Sequence, residues 1–291
     1  MEPREIEQVS IAHRQREGAG FVVRRPFPTR GIEGVDPFLM LDEMGPVTYG
    51  PGEAIGAPDH PHRGFETVTY IVEGEAEHED SAGHRGLIGP GAVQWMTAGR
   101  GVVHSEMPSQ RMREAGGRMH GFQLWVNLPA RDKMMAPRYQ EIDASRIPTA
   151  TSEDGRAKVR VIAGEALGAR AVIETRTPIA YHHWSLAPGA EVTVALPPEM
   201  RACVYVFAGE AAVGGRARSL RDGQLGVLAG DGPVRLTVAK EAKVGAELLV
   251  LAGVPLGEPV AWHGPFVMNT EAEIHQAIRD YQSGRMGHIA R

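Results

Sequence analysis

The stretch VTYIVEGEAEHED, Val68 to Asp80, reads as a strand, a glycine turn and the start of another strand. Val68, Tyr70 and Val72 alternate on one face, and Glu66 to Glu73 is rich in Thr, Val, Tyr and Ile, residues that suit a pleated, half-buried surface. Gly74 breaks the run. A near copy returns as CVYVFAGEAAVGG, Cys203 to Gly215. Tyr70 matches Tyr205, Gly74 matches Gly209, Glu75 matches Glu210 and Ala76 matches Ala211, all at an offset of 135 residues. Pro90-Gly91 is echoed by Asp222-Gly223 at an offset of 132. Two matches in order, at nearly one offset, imply a duplicated β domain.

Around this pair the chain keeps the same character. Ala92 to Met96 is a short strand after the turn Gly89-Pro90-Gly91. In Arg118 to Leu128, residues His120, Phe122, Leu124, Val126 and Leu128 alternate on one side of a long strand. Short strands closed by turn signals predict an all-β sandwich or barrel. Pro129 to Gly155 carries Pro129, Pro137 and Pro148 and reads as a linker with one helical turn. The expected organisation is therefore a first domain at 1–128, a linker at 129–155 and a second domain at 156–291. The end departs from β: Thr270 and Glu273 form a capping box. Ile274, Ala277, Ile278 and Tyr281 follow helical spacing and Gly284 supplies a stop, which predicts a helix over 271–283.

Composition narrows the function classes. A chain of 291 residues accommodates two domains of about 130–150 residues each. Its 42% apolar content supports a sizeable core. A net charge of -5 excludes a basic nucleic-acid footprint, and Arg24, Arg25 and Arg30 are too few to make one locally, so no direct nucleic-acid binding is expected. The single cysteine, Cys203, rules out an internal disulfide, points to a reducing compartment and reads as a small buried hydrophobe. The opening MEPREIEQVS has no apolar signal core, and the apolar run Leu248 to Val254 is far below the ~20 residues of a membrane span. No membrane association and a cytoplasmic location are the expectation.

The chemistry lies in two spaced pairs. His60-Pro61-His62 stands just before the Glu66 strand, and His104-Ser105-Glu106 follows forty-two residues later. In extended chain, residues i and i+2 face the same way. Three imidazoles and one carboxylate from two strands then make a 3-His, 1-Glu metal site at His60, His62, His104 and Glu106. That donor set suits Fe(II), and also Mn, Co, Ni, Cu or Zn.

HPHRGFETVTY (His60 to Tyr70), HED (His78 to Asp80), QWMTAGRGVVHSEMP (Gln94 to Pro108), LWVNL (Leu124 to Leu128) and HGPFVMNT (His263 to Thr270) resemble the pirins, as do DPFLMLDE (Asp36 to Glu43) and GEALG (Gly164 to Gly168). The resemblance spans nearly the whole chain. It implies two cupin β-barrels, a bicupin, with one iron in the first barrel. Carried over by motif, the ligands are His60, His62, His104 and Glu106. It also implies oxygenolytic ring opening of flavonols such as quercetin, with release of carbon monoxide. A carboxylate ligand keeps a free oxygen of moderate basicity, so Glu106 is expected both to ligate and to accept the substrate's 3-hydroxyl proton. The rival reading within the same family is a non-catalytic, iron-dependent interaction protein, a transcriptional co-regulator or enzyme modulator acting through a protein partner.

Further expectations follow for single residues. Glu66, four after His62, is expected to hold a ligand imidazole or to pair with Arg63, not to bind metal itself. The pocket mouth is expected at Phe65, Val68, Met96 and Met107 or their neighbours. Applying the 135-residue offset places Ala195, Pro197, Ala239 and Glu241 opposite the four ligands, which leaves the second barrel metal-free. His78 is expected in a structural hydrogen bond and His120 half-buried. The four tryptophans are expected in packing.

Overall fold

The structure is a computed structural model, described over residues 1–290. It contains two compact units, each a pair of packed antiparallel sheets. Together they are the expected all-β bicupin.

The N-terminal barrel comprises Arg14–Arg25, Phe38–Ala144 and the chain from Leu256 onward. Its seven-stranded sheet runs Arg138–Ile142, Val93–Thr97, Phe65–Glu73, Gly117–Asn127, Phe38–Tyr49, Phe21–Phe27, His13–Glu17. Its four-stranded sheet runs Ala57–His62, Val102–Pro108, Ala76–Asp80, Arg85–Ile88. Tyr70, Phe122 and Leu124 are fully buried on one face of the larger sheet, as their alternation predicts.

The C-terminal barrel comprises Met1–His13, Pro26–Pro37 and Ser145–Pro255. Its seven-stranded sheet runs Glu5–Ile11, Gln224–Ala229, Arg201–Ala208, Ala246–Gly253, Ile179–Leu186, Ala157–Ala163, Thr149–Thr151. Its four-stranded sheet runs Glu191–Val194, Val234–Thr237, Glu210–Val213, Arg218–Arg221. Position for position this is the order of the first barrel, so the duplication read from Tyr70 and Tyr205 extends through both sheets, except at one edge, where the place of Arg138–Ile142 is taken by the N-terminal strand Glu5–Ile11.

The boundaries differ from the expected 1–128, 129–155 and 156–291. Residues 1–13 and 26–37 cluster with the C-terminal barrel, and the Glu5–Ile11 strand closes its sheet against Gln224–Ala229. Arg4 fastens that strand, donating to the carbonyls of Gly232, Met200 and Pro197 at 2.6, 2.6 and 2.9 Å. The expected linker holds two edge strands, Arg138–Ile142 paired with Val93–Thr97 and Thr149–Thr151 paired with Ala157–Ala163, and two 3-10 turns, Ala130–Asp132 and Ala144–Arg146. A proline-rich stretch and an edge strand look alike in sequence, because prolines flank edge strands without breaking them.

The terminal helix is Glu271–Gln282, capped by the predicted reciprocal Thr270–Glu273 box. It was expected with the second domain but belongs to the N-terminal barrel. Ile274 and Ala277 pack with Val103, Phe266 and Met268. Asp280 accepts from Arg63 Nη1 at 2.9 Å. Cys203 is buried, and burial pushes its thiol up to about 12, as suits an inert core residue. No helix among the described residues is long and apolar enough to cross a membrane.

Candidate metal centre

The strands Ala57–His62 and Val102–Pro108 pair with His60 opposite His104. Side-chain alternation then puts His60, His62 and His104 on one face. Their donor atoms all lie within 4.8 Å of one another. Ring centroids stand 4.3 Å apart for His60 and His104, 4.7 Å for His60 and His62, and 4.9 Å for His62 and His104. His60 is half-buried; His62 and His104 are buried.

The hydrogen bonding suits a cation. His60 Nδ1 lies 2.7 Å from the Pro58 carbonyl, and His62 Nδ1 lies 3.4 Å from that of Pro265. With Nδ1–H donating, each ring presents its Nε2 lone pair. Neither ring nitrogen of His104 has a hydrogen-bond partner. A buried, unpaired polar group costs about 1–3 kcal/mol, and a bound ion would remove that cost. Burial, and then the neighbouring His60, hold His62 well below the usual imidazole range. Burial holds His104 down too, with His60, His62 and His78 adding to it. Neutral imidazoles are the form that binds metal. The three histidines could therefore hold a metal ion.

Glu106 shares the strand and face of His104 but stands outside this compact trio. Its Oε1 accepts from Thr69 Oγ1 at 2.7 Å and its Oε2 from Gln123 Nε2 at 2.9 Å. Both partners come from the seven-stranded sheet across the barrel. Glu66 is buried and accepts from Thr97 Oγ1 at 2.6 Å. Arg63 donates to the Arg100 carbonyl, at 2.6 Å, and to Asp280. His78 lacks the expected hydrogen bond; both ring nitrogens are buried without partners, 5.4 Å from the His104 ring by centroids. His120 is buried, with Nε2 2.8 Å from Glu43.

A cavity of about 610 Å³ opens beside the histidines, and His60, His62, Glu106 and Met107 line it. The expected Phe65, Val68 and Met96 do not. Val68 and Thr69 point to opposite faces of one strand, and Thr69 faces the cavity. Trp125 and Trp262 pack on Leu39, Phe65 and Val267, as expected, and also form part of the wall, their rings stacked at 5.5 Å. Arg25 and Asp42 close another side. Arg25 Nε donates to Asp42 Oδ1 at 2.7 Å, and Nη2 donates to Asp42 Oδ2 at 2.6 Å and to Glu17 at 2.7 Å. Burial opposes the charge of Arg25, but Asp42 and Glu17 outweigh it and hold the guanidinium above its ordinary range. Sequence reading missed Thr69, Gln123, Arg25 and Asp42. Their signal was present: Gln123 sits out of phase with Phe122 and Leu124, which marks the polar inner face of a closed sheet as readily as a solvent face.

The strand pairing also corrects the mapping onto the second barrel. Ala76 matches Ala211, so His78 matches Val213. His78 pairs with Glu106, and Val213 pairs with Leu236. His60 pairs with His104, and Val194 pairs with Val234. The equivalents of His60, His62, His104 and Glu106 are thus Val194, Leu196, Val234 and Leu236, not Ala195, Pro197, Ala239 and Glu241. All four are buried in the aliphatic core of that barrel and offer no donor atom. Of the adjacent pair His182 and His183, His182 is buried, where burial pulls it down to about 4, and His183 meets Glu247 at 2.8 Å.

Comparison with known proteins agrees with this geometry. The family described as Pirin matches residues 20–126, and the Pirin C-terminal cupin domain matches residues 181–287. The chain belongs to the pirin family. It is 43% identical to a pirin-like protein of Solanum lycopersicum over 98% of this chain and 94% of that one. Identity to Pirin of Homo sapiens is 42%, over 95% and 92%. A crystal structure of quercetin 2,3-dioxygenase from Acinetobacter baumannii superposes with a TM-score of 0.91 at 38% identity, covering 99% of each chain.

Proposed function

We propose that this pirin-family protein is a metal-dependent dioxygenase that opens the flavonol ring of quercetin-type substrates, both atoms of dioxygen entering the product and one ring carbon leaving as carbon monoxide. The observation that carries the reading is the unpartnered His104, buried beside His60 and His62 at the edge of a cavity of about 610 Å³. The name of the Acinetobacter baumannii structure supports the substrate class.

His60, His62 and His104 would hold one divalent ion, Fe(II) foremost, with Glu106 as fourth ligand. Such an ion supplies Lewis acidity toward a substrate oxygen and the one-electron chemistry that dioxygen requires. The remaining work falls to the chain. Trp125 and Trp262 offer flat apolar surface to an aromatic substrate. The apolar wall excludes water, which strengthens every polar contact inside. Glu106 accepts the proton of the flavonol 3-hydroxyl on a carboxylate oxygen, and Thr69 and Gln123 fix the plane of that carboxylate before substrate arrives.

Glu106→Gln tests the base role. The amide is nearly isosteric and cannot take the proton at neutral pH. At equal, measured metal occupancy, flavonol turnover should fall roughly 10²-fold or more. Wild-type turnover in the fully metallated variant removes the base. No turnover by wild type with Fe, Mn, Co, Ni or Cu removes the enzyme, and the metal-dependent interaction protein takes its place.

A further inference from the structure

The wall of the cavity that holds Arg25 has a chemistry that metal binding does not use. Arg25, Asp42 and Glu17 come from three neighbouring strands of the seven-stranded sheet, Phe21–Phe27, Phe38–Tyr49 and His13–Glu17. The histidines stand on the four-stranded sheet. All three charged residues line the same cavity as His60 and Glu106, in a wall otherwise largely apolar.

A guanidinium has five N–H donors in a fixed fork. The three bonds of Arg25 to Asp42 and Glu17 use the N–H of Nε and both of Nη2. The two on Nη1 take no part in them. Those bonds hold the fork rigid, so Nη1 is oriented before any ligand enters. The side chain retains 15% exposure. One cation faces two carboxylates here, so the cluster carries no net positive field, and an anionic ligand group would meet Asp42 and Glu17 as well as Arg25. The group that fits is neutral and both donates and accepts: a phenolic hydroxyl, which accepts from Arg25 Nη1 and donates to a carboxylate oxygen of Asp42 or Glu17. A bare aromatic edge would cover the same atoms and give them nothing to bond.

We propose that Arg25, set by Asp42 and Glu17, is a specificity-determining residue that selects ligands by the hydroxyl groups on the part of the ring system remote from the metal. This rests on the reading that the cavity takes flavonols. It adds that polyhydroxylated flavonols are preferred and names the residue responsible.

The test is an anaerobic calorimetric titration of the metal-loaded full chain with quercetin and with 3-hydroxyflavone. The two share the 3-hydroxyl and the adjacent carbonyl and differ only in ring hydroxyls. Wild type should bind quercetin at least about tenfold more tightly, the size of one hydrogen bond to a charged donor. In Arg25→Met the ratio should fall to within about twofold of one, with metal content unchanged. Should loss of the cation unfold the chain, Arg25→Lys decides. It keeps a charge for Asp42 but no second nitrogen for the cavity, and it too should lose the ratio. A merely structural role would weaken both ligands alike and leave the ratio intact. A ratio near one in wild type, or a wild-type ratio in either folded variant, overturns the proposal. Turnover of both ligands with no discrimination sinks this inference and leaves the dioxygenase standing. Discrimination without turnover under oxygen does the reverse. Binding of neither ligand removes both.

Discussion

Lys133 is 1% exposed, and its ammonium donates to Gly64 O at 2.8 Å, Asn127 Oδ1 at 2.6 Å and Val267 O at 3.0 Å. Gly64 follows the His62-Arg63 pair, and Val267 lies two residues after Pro265, whose carbonyl faces His62. The lysine therefore ties together the two segments that set the His62 ring. Lys133→Met should cost about 3 kcal/mol in urea denaturation, since three buried acceptors lose their donor. Burial pulls Lys133 down to about 8 against the opposing Glu258 and Glu273. Below pH 8 the folded and unfolded states both hold the proton. Between 8 and the ordinary value of 10.5 the unfolded state binds more, so the lysine's contribution to stability rises with pH. Relative to Lys133→Met, wild type should gain up to about 3 kcal/mol across that window; a flat difference would show that the lysine titrates normally. The histidines were legible because i, i+2 spacing on a strand leaves a mark in sequence. Gln123 left only the weaker mark of a polar residue out of phase with Phe122 and Leu124, and Lys133 left none, because it acts across a distance the local pattern does not encode.

The C-terminal helix shows the same division one level up. Its existence, bounds and cap were legible, since helical spacing and the Thr270–Glu273 box are local. Thr270→Ala should lower stability by about 1 kcal/mol, read as a shift in the thermal midpoint. Which barrel the helix serves was not legible, because that depends on contacts more than 200 positions away in sequence: Asp280 with Arg63, and Ser81 Oγ with the Met286 carbonyl at 3.0 Å. Arg63 is buried beside His62, so Asp280→Ala leaves a buried guanidinium short of its counter-ion and should cost about 3 kcal/mol. Metal affinity should fall with it, because the backbone of Arg63 carries the strain to His62. A competitive Co(II) titration giving wild-type affinity in a folded Asp280→Ala chain would separate the helix from the centre.

At the scale of the molecule, duplication explains why one barrel can bind metal and its copy cannot. The two share the same spatial order of strands, so the difference at the site lies in the side chains that equivalent strand positions present. The repeat was legible from Tyr70 and Tyr205, but a fixed offset failed at the site, where the strand pairing departs from it by one residue on one strand and five on the other. Loop lengths drift between copies while strand pairing does not, so only the ladder gives the true equivalents. In the N-terminal barrel the inner face carries His60, His62, His104, Glu106, Thr69 and Gln123 around open space. In the C-terminal barrel Val194, Leu196, Val234 and Leu236 fill the equivalent positions with aliphatic packing. Such a core has neither donors nor room for an ion, and burying a charge there would cost several kcal/mol. The metal-loaded chain should therefore hold about one metal per chain by elemental analysis. The triple replacement of His60, His62 and His104 by Ala should hold none, while the C-terminal barrel, which uses none of those residues, stays folded and gives its own cooperative transition in calorimetry. One equivalent retained by that triple variant would mean donors elsewhere in the chain, and the assignment of the centre to the paired strands Ala57–His62 and Val102–Pro108 would fall.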